Sequence, residues 1–150
     1  MALLLQMFYA FLTCIGFSIL FNVRGKIMFF AALGGALGTL AYGMSHFLGS
    51  GEVVANFFAA LAISLFSEVM ARVRKVPVTV LLIPGLIPFV PGGGIYFTML
   101  HFIAGDTQNF LSNLVQTVSI AGALAFGTII LSSIVRMYYN VRNIPNRRAS

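Results

Sequence analysis

Residues 84–94 read Pro-Gly-Leu-Ile-Pro-Phe-Val-Pro-Gly-Gly-Gly, and they lie inside an apolar run long enough to cross a bilayer. Four of the five prolines (Pro77, Pro84, Pro88, Pro91) fall between residues 77 and 94. In lipid an unpaired backbone N–H or C=O costs several kcal/mol, so a break there survives only when protein buries it or water lines it. Broken helices at membrane depth are also how many transporters build substrate sites.

The run around this stretch, residues 76–104, would measure roughly 43 Å as one helix at about 1.5 Å per residue, against a hydrocarbon core of about 30 Å. The surplus is about nine residues, close to the length of the irregular stretch. The spacing therefore predicts two half-helices, over 77–83 and 94–104, joined by an unwound middle.

Further apolar runs occupy residues 2–22, 27–48, 53–71 and 114–138, each near the ~20 residues of a transmembrane helix. The expected fold class is an all-α integral membrane protein. It forms one membrane domain with about five transmembrane helices, the fourth broken by the Pro/Gly-rich segment. Composition agrees: 59% of the 150 residues are hydrophobic and 8% are charged, against about 25% charged in soluble domains. Residues 1–22 lack the basic start and the cleavage site of a secretory signal, so they read as a retained span. Cys14, the one cysteine, lies within that span and has no intrachain partner.

The net charge of +6 does not indicate a nucleic-acid partner, because every Lys and Arg sits in a short gap or tail beside an apolar span. Arg24 and Lys26 follow the first span, and Arg72, Arg74 and Lys75 follow the third. Arg136, Arg142, Arg147 and Arg148 close the chain, in a basic tail over 139–150. The remaining gaps hold Glu52 and Asp106. All nine basic residues thus fall on one side, which the positive-inside rule makes cytoplasmic. The N-terminus is then outside and the C-terminus inside, with membrane lipids, anionic headgroups among them, as neighbours.

Small residues recur four apart: Gly34 with Gly38, Gly35 with Thr39 and Gly43, and Ser119 with Ala123 and Gly127. Such spacing lets helices approach closely in lipid, either within one molecule or between the subunits of a homo-oligomer. On the third span Asn56, Ala60, Ser64, Ser67 and Ala71 share an arc of roughly 80°, flanked by Glu68. That face turns toward protein or water, as helix–helix packing or as the lining of a substrate path.

Where two half-helices meet, the one beginning near Gly93 or Gly94 offers free N–H donors and a positive dipole end. The one ending near Ile83 offers carbonyls. Glycines at 92, 93 and 94 admit an anion close to the backbone, and Thr79, Tyr96 and Thr98 add hydroxyls. Such a pair of ends suits a small carboxylate or a zwitterionic amino acid. Alternatively, the segment is a packed kink without ligand. Glu68, Asp106 and His101 are the ionisable candidates for coupling to an ion gradient. Glu68 stands four residues before Arg72, which also fits an interfacial salt bridge, and Gly105-Asp106 also reads as an outer turn.

Lys75-Val-Pro77-Val-Thr79, then Leu82-Ile83-Pro84-Gly85-Leu-Ile-Pro88-Phe-Val-Pro91-Gly92-Gly93-Gly94-Ile-Tyr96, resembles the threonine/serine exporter family, in particular its small, YjjB-like subunit. Length and span arrangement agree, so the likeness covers most of the chain. It implies export of threonine/serine-like amino acids or dicarboxylates such as succinate across a bacterial inner membrane, driven by an ion gradient. It extends the candidate substrate region to Pro84, Gly85, Pro88 and Pro91. It also implies a separate YjjP-like membrane partner carrying the larger half found in single-chain members. A channel-like pore and a non-transporting assembly subunit are the competing readings.

Enzymatic motifs are missing: there is no H-E-x-x-H, no G-x-S-x-G elbow and no second aspartate for Asp106. No P-loop or dinucleotide fingerprint appears, and nothing in the sequence requires a cofactor or a metal.

Overall fold

The computed structural model describes the backbone of residues 2–147 and the side chains of residues 3–139. Six α-helices follow one another: α1 (Ala2–Leu20), α2 (Lys26–Phe47), α3 (Glu52–Arg74), α4 (Val78–Leu86), α5 (Gly92–Ile103) and α6 (Thr107–Arg147). A short 3-10 turn, Ile87–Phe89, continues α4, and there is no strand among the described residues. α1, α2, α3 and α6 are each long and apolar enough to cross a membrane, and α4 and α5 are so only taken together, as a bent pair that forms either a broken fifth span or a re-entrant loop. The protein is an all-helical, multi-pass membrane protein. The basic tail expected over 139–150 instead continues the α6 backbone as helix to Arg147, and residues 148–150 lie outside the described residues.

The break is much shorter than the sequence predicts. Instead of an unwound stretch over 84–94, helix runs through Pro84 and Gly85 to Leu86, the 3-10 turn carries it to Phe89, and α5 starts at Gly92. Only Val90 and Pro91 separate the two halves, which meet at 50°. Val90 is extended, with φ −61° and ψ 127°, as steric conflict with a following proline demands. Ile87 also precedes a proline, yet stays helical at φ −54° and ψ −41°. The difference lies in packing. Pro84 and Gly85 are buried, and a Cβ on Gly85 would sit 3.0 Å from Ile63 Cγ2 and 3.5 Å from the Gly35 amide nitrogen. That close seat against α2 and α3 holds α4 helical where propensity alone would not.

Chain ends of the helices are set by local chemistry. α3 stops at Lys75, which is left-handed at φ 55°, and Pro77 then opens α4. The turn between α5 and α6 uses Gly105 at φ 73°, a conformation only glycine adopts without strain. α6 starts at Thr107, seven residues ahead of the expected span, and Asp106 caps it by accepting the Asn109 N–H.

The small-residue pairs are occupied by the chain's own helices. Gly34 meets Phe66, Gly38 meets Ile63 and Phe89, Gly43 meets Leu3, and Gly127 meets Ala60 and Phe57. A Cβ at Gly35 would overlap Cys14 Sγ and lie 3.5 Å from the Gly85 carbonyl oxygen, so α1, α2 and α4 converge there. α3 and α6 run parallel, since Glu52 meets Gln116, Ala60 meets Gly127 and Arg72 meets Tyr139. Ala60 packs with Ile120, Leu124, Leu86 and Phe89, which places the break about 12 Å below the Glu52 end of α3 and about 21 Å above its basic end.

Candidate functional site

Polar residues in a spanning helix are tolerated where they face protein or water, and three helices here turn such residues toward the break. On α1, Gln6, Tyr9 and Thr13 recur at three and four residues. On α2, Thr39 and Tyr42 are three apart. On α3, Glu52 and Asn56 are four apart. Together with Pro88, Phe89, Val90, Pro91 and Ile120 they line a cleft of about 550 Å³. A volume of that order suits a small metabolite. Its mouth lies at the end of the bundle away from the basic residues.

Several of these side chains are already positioned. Thr39 Oγ1 donates to the Gly35 carbonyl at 3.1 Å, Thr13 Oγ1 to the Tyr9 carbonyl at 2.8 Å, and Asn56 Nδ2 to the Glu52 carbonyl at 2.9 Å. Glu52 Oε2 accepts from Gln116 Nε2 at 2.6 Å, tying α3 to α6 at the mouth. The Tyr42 ring lies between His46, at 6.1 Å, and Phe89, at 6.3 Å. The wall formed by the break is therefore met from α2 by a tilted aromatic contact between Tyr42 and Phe89. Glu52 supplies the negative charge at the cleft.

The start of α5 contributes backbone rather than side chains. No side chain caps it; the Gly92 N–H turns back to the Val90 carbonyl at 2.7 Å, and the Ile95 N–H pairs with Pro91 at 3.0 Å. The amides of Gly93 and Gly94 remain as the uncapped donors of the first turn. A Cβ at Gly92 or Gly93 would meet nothing within 4 Å, while one at Gly94 would overlap Thr117 Oγ1.

The sequence-predicted residues divide among several places. Pro88 and Pro91 line the cleft, with Gly92 and Gly93 following them directly. Pro84 and Gly85 are buried against α2 and α3. Thr79 is exposed near the basic end of α4, and Tyr96 is exposed on α5 beside Phe97, 5.4 Å away. Thr98 is buried against α6 and donates to the Gly94 carbonyl at 2.7 Å. Glu68 is 1% exposed and bonds Arg72 at 2.6 Å. His101 Nδ1 stands 3.6 Å from Asp106 Oδ2 at the outer turn. There the hydrogen bonds from Asn109, chiefly its side-chain amide, hold the Asp106 carboxyl below its ordinary range.

Gln6, Tyr9, Thr13, Thr39, Tyr42 and Glu52 were not singled out as site residues from sequence. The signal that could have found α1's share is its polar stripe, Gln6, Tyr9 and Thr13, at helical spacing in an otherwise apolar span. No group of three or more His, Cys, Asp or Glu side chains able to hold a metal occurs among the described residues.

Residues 6–134 match the family model described as "Threonine/Serine exporter, ThrE". An uncharacterized protein of Haemophilus influenzae is 27% identical over 133 residues, which cover 83% of this chain and 45% of that protein. This chain thus spans about half the length of the curated relative it matches. No solved structure matches it.

Proposed function

Since this chain belongs to the threonine/serine exporter family, we propose that it is one subunit of a secondary transporter that exports small carboxylate-bearing metabolites. Threonine- and serine-like amino acids are the first substrate class, and dicarboxylates such as succinate the second. The observation that supports this reading is the cleft itself: three polar helix faces meet the break between α4 and α5. Glu52 suits the ammonium of a zwitterion, the hydroxyls of Tyr9 and Tyr42 suit a polar side chain, and the uncapped start of α5 suits a carboxylate.

The proposed setting is a bacterial inner membrane, with the cleft opening outward and the basic helix ends in the cytoplasm. A YjjP-like membrane subunit, which the resemblance to the family's small subunit implies, is the proposed partner. Transport is proposed to run on an ion gradient.

The test is efflux of labelled threonine, serine and succinate from cells that make this chain with its partner, with and without a collapsed proton gradient. Gradient-dependent efflux of one of them supports the exporter. Efflux indifferent to the gradient points to a pore. Equal pools with and without the chain would falsify the transport reading.

A further inference from the structure

Below the cleft, α3 carries its polar stripe on into the protein. Asn56 lines the cleft; Ala60, Ser64 and Glu68 follow at steps of four residues, about 6 Å each. Ser64, Ser67 and Glu68 are buried at 0%, 1% and 1% exposure. Their free oxygens, Ser64 Oγ, Ser67 Oγ and Glu68 Oε1, have no hydrogen-bond partner. The other carboxylate oxygen, Oε2, accepts from Arg72 at 2.6 Å. Three unpartnered oxygens within one turn of helix, beside an ion pair, are a costly arrangement in a membrane interior.

We propose that Glu68, with Ser64 and Ser67, forms a buried proton-binding site below the cleft, and that its protonation releases Arg72. This rests on the exporter reading and supplies the coupling step it needs. A proton from water adds to Oε1, so that the carboxylate becomes a neutral acid and Arg72 keeps its own proton and charge. Protonation removes the negative charge from a carboxylate whose Oε1 is buried with no hydrogen-bond partner. The guanidinium side chain, 31% exposed, then moves toward the cytoplasmic headgroups, while the neutral acid stays buried at lower cost.

The surroundings leave Arg72 as the charge seated on this carboxylate. α4 has no ionisable side chain. α6 places the Tyr139 ring 4.3 Å from the Arg72 guanidinium, and Arg136 and Tyr138 are the neighbouring ionisable residues at that end. α2 has Lys26 at its first turn, with Tyr42 and His46 toward the opposite end, while Arg74 of α3 stacks on Phe30 at 4.3 Å. A sodium ion fits less well, because it would need more oxygen ligands than these three and would have to bind beside the guanidinium.

The chain has three acidic side chains, so substituting each in turn assigns the band, whatever carboxyl groups a partner subunit adds. Infrared difference spectra of the purified transporter in dodecyl maltoside, which carries no carbonyl, would follow the carboxylic acid C=O stretch on acidification. A band present in wild type and in Glu52→Gln and Asp106→Asn, but lost in Glu68→Gln, supports the site; identical spectra in wild type and Glu68→Gln overturn it. In proteoliposomes, Glu68→Gln is expected to lose pH-gradient-driven accumulation while retaining substrate counterflow, and gradient-driven accumulation equal to wild type overturns the coupling role. Absence of counterflow in wild type would defeat the exporter reading while the infrared result still decides the proton site. If Glu68→Gln does not assemble, Ser64→Ala decides: a shifted titration of the band supports the site, and an unshifted one overturns it.

Discussion

Gln116 of α6 donates its side-chain amide to Glu52 of α3 at 2.6 Å, across 64 residues of sequence. The bond fixes one carboxylate oxygen at the cleft mouth and leaves the other for a ligand. Because the pair is exposed, Glu52→Gln should change stability by less than about 1 kcal/mol. A lost charge-assisted contact is worth about 1.5–3 kcal/mol, so KM for an amino-acid substrate should rise about tenfold or more, while that for a dicarboxylate should not rise. Efflux kinetics on both substrate classes check this.

Gly35 tests the packing. A methyl there overlaps Cys14 Sγ and presses on Gly85, and overpacking of this kind costs about 1–3 kcal/mol. Gly35→Ala should therefore lower the melting temperature in detergent. Pairing it with Cys14→Ala should recover part of the loss, since the sulfur is the nearest obstruction. Equal melting of wild type and Gly35→Ala would contradict the close approach of α1 and α2.

Gly92 and Gly93 test access rather than packing. Neither has a neighbour within 4 Å of a Cβ position, so alanine at either should leave assembly and melting unchanged. If their backbone meets the substrate, Gly93→Val should cut efflux sharply while the protein still assembles. A valine variant with normal efflux would remove the start of α5 from the site.

Cys14 is fully buried and should resist a membrane-impermeant maleimide. A cysteine placed at Tyr9 or Val90, both exposed and both in the cleft wall, should react from outside the cell and be protected by substrate. Labelling only from the cytoplasmic side would invert the proposed orientation.

Asp106 carries a pH prediction. Its folded carboxyl lies below the ordinary value because the ionised form is hydrogen-bonded by Asn109. Its contribution is therefore complete above the unfolded aspartate pKa, about 3.9, and fades as pH falls through the folded value. Asp106→Asn should lower stability slightly at neutral pH, where the carboxylate's contribution is complete, and flatten that part of the acid-side loss. Melting curves of the two proteins across acidic pH would show it.

Much of the fold was readable because lipid imposes strict terms: span length, charge placement and the penalty on free backbone groups all mark the sequence. The presence of a break at 84–94 followed from its prolines and glycines. Its extent did not. Whether Ile87 or Val90 leaves the helix depends on what Pro84 and Gly85 pack against, namely Gly35 and Ile63, which are remote in the chain. The cleft was harder still. Asn56 belonged to a recognised polar face, but nothing local shows that Tyr9 and Tyr42 turn toward it. That depends on how α1 and α2 rotate against α3, which is a property of the assembled bundle.

Val90 and Pro91 are all that separate two stiff rods, so the corner has no slack. Removing one of them would turn α5 by about 100° about its own axis and carry Gly94 and Thr98 off the face where Thr117 receives them. Side chains in this corner can be exchanged, but its length cannot. Insertions and deletions among relatives should accordingly collect at the outer turns around Gly49 and Gly105 and spare this pair.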